Sequence, residues 1–358
     1  MTERLRTLPD GRWLAASRED VAAVLDHGDA SARPPGTAGL RAAMARFSHG
    51  EDHRRRRAVA EERLAAVEPP ALRARARDLA AAALAAAGRI DHVVAPAHLL
   101  PPVAPAPTAT PHPAPPHPAP RAAPAAPAET PTHRIDLTTA PTHRIDLTTA
   151  PTPRIDLTAA VARPVPLAAL AEALGASDGP AAAGAARRLA RALAPPRGAA
   201  AGEPETPAAE LARLLGLPAD PLDEVVANTV ALCFQAVDAT AGLIGLAVLS
   251  GRDDPDAAVA AALAAGGPVL RTYRWATRDL DLPTGTVPAG DAIVVALPTG
   301  DAPFGAGPHR CPGAGLAVAL ACGVVEAVLA SGLRLAAGPP AFEPRDNLRI
   351  PAALVLSP

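Results

Sequence analysis

A mainly helical fold with a small β component is what this sequence predicts, and three observations predict it. Residues 18–92 and 166–265 carry long stretches with apolar residues at helical spacing. From about 271 to 297 the sequence turns to short β-prone runs broken by Pro-Thr-Gly and Pro-Ala-Gly turns. Between the two helical parts, residues 93–153 are low-complexity Ala/Pro sequence with 16 prolines between 101 and 153. Proline lacks a donor and fixes φ, so neither a helix nor a central strand runs through PHPAPPHPAP. With 49% hydrophobic residues but 2% aromatics, the core has to be built from Ala, Leu and Val.

The elements follow in order. GRWLAAS (11–17) reads as a short strand, and REDVAAVLDHG (18–28) as a helix closed at Gly28. Residues 51–66 and 71–87 read as Arg- and Ala-rich helices, the second closed by Gly88. Then comes a tandem repeat, PTHRIDLTTA (131–140), PTHRIDLTTA (141–150) and PTPRIDLTAA (151–160). Three copies of ten residues bury almost nothing, so a solenoid is not expected. One native RIDL segment has been duplicated, and the chain divides into 1–92, a Pro-rich insertion over 93–153 expected to be disordered, and 154–358. Six of the ten histidines lie in or beside the insertion. Nothing there imposes ligand geometry, so a spacer with incidental histidines is expected rather than a metal-binding tract.

Helices resume at about 166–174, 180–194, 207–216, 221–250 and 255–265. The segment VVANTVALCFQAVDATAGLIGLAVL (225–249) is long enough to span a bilayer. Asp238 near its centre would cost about 2.5–3.5 kcal/mol there, so a helix buried on all sides is expected instead. A last helix covers 313–332, and LRLAAGPP and LRIPAALVLSP read as closing strands.

Charge and cysteine content exclude several classes. A net charge of −2 gives no reason to expect nucleic acid or a membrane surface as partner. Three cysteines without a CxxC argue against a disulfide framework and against a zinc site. The start MTERLRTLPDGRW has no apolar signal region, and a reducing cytoplasm is expected.

The chemistry concentrates in PFGAGPHRCPG (303–313). Gly305 and Gly307 allow a tight left-handed loop, and the helix starting near Gly313 aims its positive end at the Cys311 sulfur. That arrangement lowers a thiol pKa and presents an anionic sulfur to a metal or an electrophile. An inert buried cysteine is the alternative that these residues alone leave open.

FGAGPHRCPGAGLA resembles, almost residue for residue, the haem-ligand loop of the cytochrome P-450 family, FxxGxxxCxG, with Phe304, Gly307, Cys311 and Gly313 in the fixed places. DHRRRRAVAEERL is similar to the family's C-helix, RIDLTAAVARPVPLAALAEALG to its D–E region, AVDATAGLIG to its I-helix, and RWATRDLDLPTGTVPAGDAIVVAL to the β-segment after its K-helix. The resemblance implies a P-450-like fold interrupted by the Pro-rich insertion. It implies haem b as cofactor, with Cys311 the axial thiolate and Phe304 shielding the sulfur. His53, Arg57, Arg274 and His309 stand where the family places its propionate partners.

Three positions depart from the family pattern. Asp238 is followed by Ala239, and Thr240 comes one residue late for the acid–alcohol pair that would make both residues catalytic. A one-residue shift turns a side chain by about 100° on a helix. Pro268 stands where the K-helix Glu belongs, three residues before Arg271. Only twelve residues separate Asp291 from Phe304, too few for the family's meander. The implied activity is monooxygenase-type oxidation of a small or carrier-bound metabolite in specialised biosynthesis, with ferredoxin and ferredoxin reductase as electron donors. The alternatives are non-standard haem chemistry, such as peroxide use or coupling, and a catalytically degenerate scaffold or sensor.

Overall fold

In the computed structural model the described residues are 5–90, 154–194 and 202–358. They belong to a body formed by Met1–Asp91 with Thr152–Pro358. The expected disorder of 93–153 and its histidines fall outside the described residues.

The chain opens with β1 (Arg6–Thr7) and β2 (Trp13–Ala15), then α1 (Arg18–Asp26) and β3 (Ala30–Ser31). Ser17 caps α1 by accepting from the Asp20 N–H at 3.0 Å, which sets the start of that helix. Next come α2 (Gly39–Ala43), a 3-10 turn at Ala45–Phe47, α3 (Gly50–Ala65) and α4 (Pro69–Ile90). The sequence places the end of α4 at Gly88, yet the helix runs through it. A single glycine costs about 1 kcal/mol in a helix, too little to end one whose inner face is already packed.

From residue 154 on lie β4 (Ile155–Asp156), a π-helical turn at Thr158–Ala162, α5 (Pro164–Ala173), α6 (Gly179–Leu193) and α7 (Glu205–Leu214). Then come the long α8 (Glu224–Leu249) and α9 (Pro255–Ala264). Asp223 caps α8 by accepting from the Val225 and Val226 N–H groups. The β-rich part holds β5 (Arg271–Ala276), β6 (Leu280–Leu282), β7 (Gly285–Val287) and β8 (Ala292–Ala296). A 3-10 turn at Gly307–His309, α10 (Ala314–Ala330), β9 (Arg334–Leu335) and β10 (Val355–Ser357) complete the fold.

The sheets are small. The largest runs β1-β2-β8-β5-β3, with β2 and β8 parallel and the other pairs antiparallel. β4, from the third RIDL copy, pairs with β10 in a three-stranded sheet with β9. That pairing explains why this copy belongs to the body.

Helices α4, α5, α6, α8 and α10 enclose the main core, made almost wholly of Ala, Leu and Val as the composition requires. Small residues allow close helix crossings: a Cβ on Gly323 of α10 would lie 2.2 Å from the Arg73 carbonyl of α4. Helix α8 and the segment Gly307–Ala330 are long and apolar enough to cross a membrane, and most of each is buried inside the body. Helix α8 is thus mostly, but not on all sides, buried: Leu232, Gln235, Ala236 and Ala239 are half-buried.

Chain leaves α9 through a turn at Gly266 and Gly267, with φ of +93° and +65°, and enters β5 directly at an exposed Arg271.

Candidate functional site

Gly307 is required twice at the Cys311 loop. Its φ is +63°, and a Cβ there would meet the Leu25 carbonyl oxygen at 2.3 Å. The Cys311 N–H donates to the Phe304 carbonyl at 2.9 Å, which closes the loop and fixes Phe304, itself half-buried, beside it. Gly313 caps α10, and its backbone N–H favours the anionic form of Cys311.

The sequence suggests a lowered thiol pKa, and the structure corrects this. Burial pushes the Cys311 thiol up, and the opposing pulls from the Gly313 N–H, Arg57, Arg310 and Arg46 are smaller. The protein thus holds a protonated, half-buried sulfur among cations, which a metal ion would deprotonate.

Helix α3 supplies His53 and Arg57, one turn apart on one face. Arg57 holds the loop itself. It donates to the carbonyls of Arg310 at 2.6 Å and Pro308 at 3.4 Å, and pairs with Glu61 at 2.7 Å. The His53 ring lies against that of His309, with centroids 3.7 Å apart and planes tilted by 34°. Burial, reinforced by neighbouring cations, lowers His53 to about 4 and His309 to about 2, so both are neutral near pH 7.

Arg274 on β5 is 4% exposed. Its guanidinium donates to Thr272 Oγ1 at 3.2 Å and to the Tyr273 carbonyl at 2.8 Å, and makes no ion pair among the described residues. Burial, and then Arg46, lower it to about 10. A buried guanidinium without a carboxylate is costly and calls for an anion.

The structure therefore brings together Cys311, His309, His53 and Arg57, with Arg274 in electrostatic reach of both histidines. Two residues that sequence reasoning missed join them. Arg46, on the 3-10 turn, acts on Cys311 and Arg274, and His49 acts on both histidines. Both lie outside any motif, where only their charge and the adjoining α3 hint at a role.

Asp238 stands apart from that group. Its carboxylate pairs with Arg345 at 3.0 Å and Arg163 at 3.5 Å, and both arginines also pair with Glu343. Thr240 is 3% exposed and lies two residues on, about 200° around the helix, so the two side chains leave α8 on nearly opposite faces. Half-buried Leu232, Gln235, Ala236 and Ala239 form a stripe at i, i+3, i+4 and i+7. The same helix face carries Asn228, which accepts from the Ala45 N–H at 2.7 Å, and Glu224, which pairs with Arg55 and Arg56 of α3. The stripe thus continues from the edge of α3.

No protein-family model matches this chain, and no curated protein matches its sequence. Solved structures do match. The chain is similar to CalO2 at 20% identity and a TM-score of 0.66, covering 99% of this chain and 92% of that one. It is similar to cytochrome P450 CYP109Q5 from Chondromyces apiculatus at 16% identity and 0.66, with 99% and 92% covered. P450BioI, solved with an acyl carrier protein ligated to hexadec-9Z-enoic acid, matches at 14% identity and 0.62, with 99% and 94% covered. The chain has the cytochrome P450 fold, mainly helical with small sheets, as its cysteine loop led us to expect.

Proposed function

We propose that this chain is a haem-thiolate oxidase with Cys311 as the axial ligand, oxidising a small or carrier-bound metabolite. The observation that carries this reading is the buried, uncompensated Arg274 beside two neutral histidines in ring contact and a half-buried thiol. Haem carries two propionates and an iron with an open axial position, and this donor set fits both needs. Arg274, His53 and His309 would take the propionates. Arg57 would act mainly by locking the loop carbonyls that position Cys311, and Phe304 and Gly313 would frame the sulfur. The bound haem supplies the oxidative chemistry, and a thiolate ligand favours O–O cleavage.

The residues of α8 do the rest. Ala239 and Gln235 line the half-buried stripe, where Ala239 leaves room for substrate and offers no hydroxyl. Asp238, held by Arg163 and Arg345, takes protons from the solvent side. Thr240 faces away from it, so proton delivery in this reading rests on Asp238 and water. Electrons come from a ferredoxin and its reductase, and the setting is the cytoplasm. The likeness to P450BioI supports a carrier-bound substrate as one form of the metabolite, in specialised biosynthesis.

The test is the absorbance of the purified protein, reduced and treated with carbon monoxide. The red-shifted Soret band of a thiolate-ligated haem is expected, and Cys311→Ser should abolish it. A well-folded protein that takes up no haem would overturn the proposal. The missing alcohol at Ala239 favours a second reading, in which peroxide replaces dioxygen and ferredoxin. Turnover with peroxide alone, unchanged in Ala239→Thr, would select it.

A further inference from the structure

A second cationic site lies on the flank of α8 where Asp238 emerges. A cavity of about 330 Å³ is lined by Arg163, Arg187, Arg191 and Arg345, with Asp238 and Glu343 as its acidic residues. The count is four guanidiniums against two carboxylates, an excess of two positive charges. Arg163 and Arg345 are already paired with both carboxylates, at 2.6–3.6 Å. Arg187 and Arg191 make no hydrogen bond or ion pair among the described residues.

Those two arginines are placed by α6. Arg187, Ala190, Arg191 and Ala194 follow i, i+3, i+4, i+7, so one face of the helix end turns both guanidiniums to the cavity between two small alanines. Arg187 is half-buried, and burial, then Arg191, then Arg163 disfavour its charged form, with Asp238 opposing them less strongly. Two arginines this close, one of them half-buried and neither in an ion pair among the described residues, leave room for an anion. The volume lies at the lower end of small-ligand sites, about 300–1,000 Å³.

We propose that this cavity binds a compact oxyanion, of the phosphomonoester or carboxylate class, between Arg187 and Arg191. The paired arginines Arg163 and Arg345 form its floor and keep Asp238 and Glu343 from repelling the ligand. Nothing in this inference depends on haem, because the site uses none of the residues around Cys311.

The experiment is titration calorimetry on the purified full chain at low ionic strength, with inorganic phosphate in one arm and glutarate in the other. Saturable binding in either arm is expected, and the arm that binds more tightly assigns the class. Arg191→Gln alone should weaken binding about tenfold or more, since one charge-assisted contact is lost. Arg191 is exposed, so this variant tests the site without risk to the fold. The double variant with Arg187→Gln should abolish binding, whereas Arg334→Gln, an exposed arginine outside the cavity, should leave it unchanged. No saturable binding in either arm, or equal affinity in Arg191→Gln and wild type, overturns the proposal. Loss of haem without loss of phosphate or glutarate binding would sink the oxidase reading and spare this one.

Discussion

Replacing Arg274 with methionine should move two observables in opposite directions. In the haem-free protein the buried guanidinium is lowered from its ordinary 12.5 to about 10, a penalty of about 3 kcal/mol on the charged form. The hydrogen bonds to Thr272 Oγ1 and the Tyr273 carbonyl return about 1 kcal/mol each. Methionine fills similar space and carries no charge, so Arg274→Met should stabilise the haem-free chain by about 1 kcal/mol. Equilibrium urea unfolding reads this as a higher midpoint at unchanged slope. In the loaded protein the same change removes a charge-assisted contact to a propionate, about 1.5–3 kcal/mol, or roughly 10- to 150-fold in affinity. Haem transfer to a scavenger apoprotein should accelerate accordingly. If the haem-free variant loses about 2 kcal/mol or more, Arg274 is a structural anchor and the reasoning fails. Unchanged haem transfer would refute it from the other side.

Further expectations follow from the same geometry. At pH 8 a thiol reagent should label one cysteine of three in the folded, haem-free chain: half-buried Cys311 reacts, while Cys233 and Cys322 are buried and pushed up to about 12 and about 11. Labelling of a second site without unfolding would contradict this. His53 takes a proton near 6.5 when unfolded but only near 4 when folded, so the unfolded state binds more protons between those values. Its contribution to stability is therefore complete above about pH 6.5 and is lost, by about 2–3 kcal/mol, as pH falls toward 4. The urea midpoint should track this, and His53→Gln should make the profile shallower, the His309 contribution remaining. Gly323→Ala should cost about 3 kcal/mol, because the new Cβ strikes the Arg73 backbone and helix α4 has to move away from α10. A thermal midpoint equal to wild type would show that this crossing has slack.

What the sequence made legible were features fixed by short-range constraints. The Cys311 loop needs glycine at 307 because of its φ and the nearby Leu25 carbonyl, and a motif records that need. His53 and Arg57 keep their spacing because both sit on one helix turn. Long-range use of a side chain is not written that way. Arg57 spends its guanidinium on Glu61, Pro308 and Arg310, which no local pattern announces. Asp238 meets Arg163 and Arg345 from segments far away in the chain. The thiol misreading has the same origin. A helix terminus is visible in the sequence, whereas the burial that outweighs it depends on packing.

The position where the resemblance would place a K-helix glutamate is accounted for by packing. Pro268 stands in that position close against α8, where a Cβ added at Gly242 would lie 2.7 Å from its side chain. The turn after α9 presents carbonyls, and Arg349 from the C-terminal segment donates to them. Its Nη2 donates to Ala265 at 3.0 Å and Gly267 at 3.2 Å, and its own N–H donates to the Pro268 carbonyl at 2.8 Å. Arg271, which a glutamate would otherwise have to neutralise, lies exposed on β5 and needs no buried partner. An arginine clamp on backbone oxygens thus stands where an ion cluster is expected.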